Sequence, residues 1–141
     1  MNNQSMFLTP VSYHECMTII QNLNTSNNTI DKVPSRILKK FKCLISAPIC
    51  DIINLSFSLA IYPNSLKYAV ITPLFKKGDP KSPSNYRPIS VTSFLNKIFE
   101  KAIHTRISNF LSFNSIISTK QFGFIKGSST QDALYNLSEF Y

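Results

Sequence analysis

Acidic residues are scarce in this chain. Seven Asp and Glu stand against fifteen Lys and Arg, which leaves a formal charge of +8 and a pI of about 9.5. None of Glu15, Asp31, Asp51, Asp79, Glu100, Asp132 and Glu139 neighbours another. That excludes the adjacent or near-adjacent carboxylate pair on which two-metal chemistry depends. Cysteine is equally sparse: Cys16, Cys43 and Cys50 form an odd set without a C-x-x-C spacing, and His14 and His104 are far apart. Neither a zinc site nor a disulfide framework is supported. Each thiol lies in an apolar, helix-like stretch and reads as buried and unbridged. The histidines read as helix-surface or core-edge residues. No apolar run approaches the ~20 residues of a membrane span. Met1 to Met6 is polar and uncharged, unlike the start of a secretory leader. What is present is enough for one core, since 43% of the 141 residues are hydrophobic. The expectation is a basic intracellular domain, off the membrane, whose charge favours polyanionic partners.

Apolar spacing organises most of the chain into helices. Thr9-Pro10 reads as a cap and first-turn proline, followed by an amphipathic helix through Tyr13, Cys16, Met17, Ile19 and Ile20 to about Asn22 or Leu23. Asn24 to Asp31 has loop composition. Pro34 opens a second helix with Ile37, Leu38, Phe41, Leu44 and Ile45 as its stripe and Lys39, Lys40 and Lys42 off it. Ala47-Pro48 marks a break, and Ile49 to Ile61 continues as a helix with so little polar face that it should be buried. Thr92 to Phe113 carries apolar residues every three to four positions, with Lys97, Glu100, Lys101 and Arg106 on the other face. Ser129 followed by Asp132 resembles a capping box opening a last helix with Ala133, Leu134, Leu137 and Phe140.

Between these helices lies Lys67 to Ser90, K-Y-A-V-I-T-P-L-F-K-K-G-D-P-K-S-P-S-N-Y-R-P-I-S. Ala69 to Phe75 is rich in strand formers, with Pro73 pointing to an edge position. Lys76 to Asn85 is all cations and turn formers, and Tyr86 to Val91 returns to strand composition. This predicts a two-stranded ribbon with a flexible cationic tip: Lys76, Lys77 and Lys81 going out, Arg87 coming back. Such a loop suits a polyphosphate or a nucleic-acid backbone. The alternative is a solvated hairpin whose lysines prevent edge-to-edge pairing. The fold class expected is α/β, mostly helical with one short antiparallel ribbon.

L-K-Y-A-V-I-T-P-L-F-K-K-G-D-P with S-N-Y-R-P-I-S resembles the first block of reverse transcriptases of the non-LTR (LINE-type) retrotransposon family. Asn96 to Ile103, N-K-I-F-E-K-A-I, is similar to the family's next helix. Gln121-Phe122-Gly123-Phe124 with Lys126 to Thr130 and Ala133-Leu134 is similar to its second block. The likeness runs from about Ile30 to the end and comes in the family's order. It implies that residues 1–29 lead into a partial reverse transcriptase domain over 30–141, an incomplete fingers subdomain without the palm. Lys76, Lys77 and Arg87 would then face the triphosphate or template, and Gln121, Gly123 and Phe124 would shape the template–nucleotide pocket. The family's backbone turns fall around Gly123 and Gly127. Its basic residue after G-F is replaced here by Ile125, which puts one phosphate contact in doubt. The implied partners are an RNA template, a DNA primer and a deoxynucleoside triphosphate. The family's metal-binding Asp residues would fall beyond Tyr141, so this chain is expected to hold no catalytic residue and no metal. Mg²⁺ is implied only for the full-length enzyme. Two other readings stay open: a basic nucleic-acid-binding module without catalysis, and a non-functional relic of a retroelement.

Overall fold

Ser12, not Thr9, opens the first helix. Its hydroxyl accepts from the Glu15 N–H at 3.1 Å, capping α1 (Tyr13–Gln21). Thr9 and Pro10 stay outside the helix because their carbonyls are taken from elsewhere in the chain, by Arg106 at 2.8 and 2.9 Å. The structure is a computed structural model that describes residues 5–24, 29–31, 33–125 and 127–138. One unit, Phe7–Arg106, holds α1, α2 (Ser35–Lys40), α3 (Lys42–Leu59), the strands β1 (Val70–Phe75) and β2 (Tyr86–Val91), and most of α4 (Phe94–Phe113). The second unit, Met1–Met6 with Ile107–Tyr141, holds the end of α4 and α5 (Thr130–Ser138). The expected α/β composition, helix-rich with one two-stranded antiparallel sheet, is what is found.

The break expected at Ala47-Pro48 lies instead at Phe41, whose backbone (φ −100°, ψ 13°) separates α2 from α3. Pro48 sits inside α3. It cannot donate to the carbonyl of Leu44, but Leu44 is 74% exposed, so water can serve that group and the helix runs on. Nor is α3 buried all round. Ser46, Ile49, Cys50 and Ile53 face inward while Leu44, Ile52, Leu55 and Leu59 are exposed. Among the described residues α3 is the one helix long and apolar enough to cross a membrane by length and composition, with 22% of it buried. Packing of α3 against α1 gives its inward face a protein partner.

In the larger unit the core joins Cys16, Ile19 and Ile20 of α1, Leu38 of α2, Ile49, Cys50 and Ile53 of α3, and Ile98, Phe99 and Ala102 of α4. Tyr62 meets the Phe99 ring edge-on at 5.7 Å, and its hydroxyl donates to Asn96 Oδ1. Cys16 and Cys50 are buried as expected, and burial pushes the Cys16 thiol up to about 11. Cys43 is the exception: it is exposed, on the outer face of α3. Asp31 reaches across the sequence to cap α4, its carboxylate accepting from the Phe94 N–H at 2.7 Å.

Helical spacing put Arg106 on the polar face of α4. Its side chain is only 8% exposed and pairs with Glu15 at 2.5 Å. It also donates to the carbonyls of Thr9, Pro10 and Ala102 and lies 5.7 Å from the Phe57 ring centre. Val11 is held just as fully. Its N–H donates to Asn54 Oδ1 at 2.7 Å, and its carbonyl accepts from Asn54 Nδ2 and from the Cys50 thiol, each at 3.0 Å.

With three glycines in the chain, two helices end on other residues. Ala60 (φ 54°) and Ser115 (φ 51°) take the left-handed conformation after α3 and α4. In both, the next N–H reaches back to close the end: Ile61 to the Ser56 carbonyl at 3.1 Å, Ile116 to Leu111 at 3.0 Å. Ala60→Gly and Ser115→Gly are each expected to raise stability by about 0.5–1 kcal/mol in chemical denaturation.

Arg106→Met should cost about 3 kcal/mol, because it leaves the part-buried Glu15 carboxylate unpaired and removes the bonds to three carbonyls. Glu15→Gln should cost about 1 kcal/mol, since the carbonyl contacts survive. The Arg106 guanidinium holds the Glu15 carboxyl below its ordinary 4.5. The pair's contribution is therefore full above about pH 4.5 and lost as pH falls through the lowered value. Thermal melts should show the parent losing more stability than Glu15→Gln on acidification through that range.

Candidate nucleic-acid interface

The ribbon expected from Ala69 to Val91 is present. Val70 pairs with Val91 and Phe75 with Tyr86, in antiparallel register. The Lys76 N–H donates to the Asn85 carbonyl at 2.8 Å, one step beyond the last strand pair. Because hydrogen-bonded pairs alternate along an antiparallel ladder, Phe75 and Tyr86 then form a non-hydrogen-bonded pair. Their rings lie 5.4 Å apart, as that closer pair type allows. The same alternation puts Pro73 opposite Pro88 at another non-hydrogen-bonded position. Neither proline costs the ladder a bond.

Side-chain direction follows from the same phase. Leu74 and its partner Arg87 share one face with Lys76 and its partner Asn85, so Lys76 and Arg87 are diagonal neighbours on that face. By ladder geometry the two residues lie roughly 7–8 Å apart, their Cβ atoms somewhat closer. Both are exposed, as are Lys77 and Lys81 in the tip. A guanidinium and an ammonium at that spacing can grip neighbouring oxygens of one phosphate chain. The two charges on a common face were only partly legible in advance, since strand alternation gives the face but register requires the structure.

The tip is not the flexible loop expected. Asn85 Nδ2 donates to the Asp79 carbonyl at 2.9 Å, and Asp79 Oδ1 accepts from the Lys81 N–H at 2.9 Å. Tyr86 Oη donates to the Pro80 carbonyl at 2.8 Å, and the Ser82 N–H donates to the Asp79 carbonyl at 3.1 Å. These bonds hold the turn from inside and leave its ammonium groups outward. Gly78 makes this possible: it adopts φ +94°, and a Cβ there would meet Asn85 Nδ2 at 2.8 Å. Gly78→Ala should cost about 1–2 kcal/mol in the ribbon, read as selective loss of amide protection between Lys76 and Asn85.

The other three expected site residues, Gln121, Gly123 and Phe124, belong to the second unit. Gln121 Nε2 donates to the Gly123 carbonyl at 3.3 Å, and the Gln121 N–H to the Ser118 carbonyl at 3.0 Å. The freedom expected at Gly123 is needed one residue later. Phe124 takes φ 63° and Gly127 φ +86°, whereas Gly123 avoids the left-handed region and has open space around it. Phe124 therefore carries a strained backbone and a fully exposed ring. Lys126, quoted in the same motif, lies outside the described residues, as does the helix end at Phe140-Tyr141. The capping box is present: Ser129 N–H and hydroxyl each donate to Asp132 Oδ2 at 2.7 Å, and Asp132 N–H donates to Ser129 Oγ at 3.2 Å. The hydroxyl of Ser129 holds the Asp132 carboxyl below its usual range.

Four of the other acids have structural roles. Glu15 serves Arg106, Asp31 caps α4, Asp79 holds the ribbon turn, and Glu100 accepts from Asn96 Nδ2 at 2.7 Å. Among the described residues no group of three His, Cys, Asp or Glu is arranged to hold a metal ion.

The profile of the family described as reverse transcriptase (RNA-dependent DNA polymerase) matches residues 75–140. The chain is 30% identical over 137 residues, 96% of its length, to a probable RNA-directed DNA polymerase from transposon BS of Drosophila melanogaster. It is 33% identical over 89 residues, 62% of its length, to a probable RNA-directed DNA polymerase from the same organism's transposon X-element. It spans 15% and 10% of those two proteins. The family match begins at the last residue of β1 and takes in the cationic tip, β2, α4 and the Gly123–Gly127 turn. By these likenesses the chain belongs to the reverse transcriptase family, among the RNA-directed DNA polymerases of non-LTR, LINE-type transposons.

Proposed function

We propose that this chain is the fingers portion of an RNA-directed DNA polymerase and that it binds template and incoming nucleotide without performing the chemistry. The observation that carries this reading is the ribbon. Lys76 and Arg87 share an exposed face above a hydrogen-bonded turn, inside the segment matched by the family profile. On this reading Lys76, Lys77 and Arg87 contact the triphosphate of a deoxynucleoside triphosphate or the backbone of an RNA template. The fork of Arg87 suits paired phosphate oxygens and the lysines supply point charges. Gln121, Gly123 and Phe124 line the template side, where the exposed Phe124 ring offers a face for a base to stack on. The work is placed inside the cell, where a template, a DNA primer and nucleotides meet.

Nucleotidyl transfer in this family implies Mg²⁺ held by carboxylates. The described residues do not fit that ion, since five of the acids are engaged in pairing, capping and turn bonds.

Binding of single-stranded RNA, followed by fluorescence anisotropy across a salt series, tests the reading. Lys76→Ala and Arg87→Ala should each weaken binding and lower the salt slope by about 1, while Lys97→Ala leaves both unchanged. Equal losses at all three sites would indicate diffuse charge and overturn the ribbon assignment. Binding unaffected by deoxynucleoside triphosphate and Mg²⁺ would favour a module that holds nucleic acid alone.

A further inference from the structure

Away from the ribbon, a cavity of about 610 Å³ lies between α1, α2 and the first half of α4. That size is ordinary for a small-molecule site, roughly 300–1,000 Å³. Its floor includes Ile19, Leu38 and Phe94. Two hydroxyls in its wall, Thr29 Oγ1 and Ser35 Oγ, are buried and have no hydrogen-bond partner among the described residues. Ser35 as a whole is 8% exposed. A buried hydroxyl without a partner is costly, and proteins seldom leave one so. Lys97 and Lys101, one turn apart on α4, line the same cavity. The acid in its wall, Glu15, is paired with Arg106, so the local field favours an anion.

We propose that this cavity binds a small amphiphilic carboxylate. The alkyl body would lie on the apolar floor, and the carboxylate would accept from Ser35 and Thr29 while facing the Lys101 ammonium. Ser35, Thr29 and Lys101, the groups that would hold the carboxylate, lie outside the ribbon.

Octanoate is the probe, titrated into the full chain by calorimetry and thermal melting, with octanol as the uncharged comparison. One octanoate should bind saturably and raise the melting temperature, with octanol at least about tenfold weaker. Lys101→Ala should weaken octanoate about tenfold and Ser35→Ala about fivefold, while Lys39→Ala, outside the cavity, leaves octanoate binding as it was. Without ligand, Ser35→Ala should melt no lower than the parent, because it removes an unsatisfied hydroxyl. Unsaturable uptake, equal binding of octanol, or a Ser35→Ala variant that melts lower yet binds octanoate as the parent does would each overturn the proposal. In the last case the hydroxyl is held within the protein or by water only.

Discussion

Three successive carbonyls of an irregular segment set the frame of the larger unit. Thr9, Pro10 and Val11 offer acceptors that no helix or strand satisfies, and side chains from distant helices supply the donors. Arg106 serves two of them and joins Glu15 at the first turn of α1, while Asn54 and Cys50 serve the third. Val11 is buried, so its N–H and carbonyl must be paired, and loosening the segment would also break the Arg106 bonds to Thr9 and Pro10. Because the donors lie on α3 and α4 and the acceptors precede α1, the same bonds fix how three helices meet. The apolar core then fills a space whose walls are already placed.

That dependence explains which parts of the sequence were readable. Local patterns were reliable: the Ser129–Asp132 capping box, the α4 stripe of Ile98, Phe99 and Ala102, and the change from strand formers to turn formers at Lys76 each reflect short-range physics. Arg106 was misread because its partners lie about ninety residues away, and periodicity knows nothing of them. Charge on a helix face usually means solvent, and here it meant a satisfied core cation. Pro48 misled for a related reason. A proline breaks a helix only if the carbonyl it abandons has no other recourse, and exposure near Leu44 supplies one.

The candidate site divides the same way. Composition indicated a cationic turn between strands, and the resemblance to reverse transcriptases named Lys76, Lys77 and Arg87 within it. Neither could supply the phase of the ladder, which sets Lys76 and Arg87 on a common face. Neither showed that Asn85, Asp79 and Tyr86 would hold the turn from inside. In the second unit Gly127 takes the freedom expected of it, Gly123 does not, and strain falls on Phe124. A scarcity of glycine recurs here as at Ala60 and Ser115, where other residues accept left-handed backbone that glycine would take without strain.

The opposed prolines of the ribbon carry a further consequence. At a non-hydrogen-bonded pair, amides and carbonyls point away from the partner strand, and Pro73 and Pro88 have no amide to show. Each long margin of the ribbon thus lacks one donor at its midpoint, between outward amides at Ile71 and Phe75 on one side and at Tyr86 and Ser90 on the other. A third strand cannot dock there in full register, so sheet growth stalls on both sides. The opposed prolines thereby keep the ribbon a two-stranded unit, from which a neighbouring strand could gain only part of a ladder.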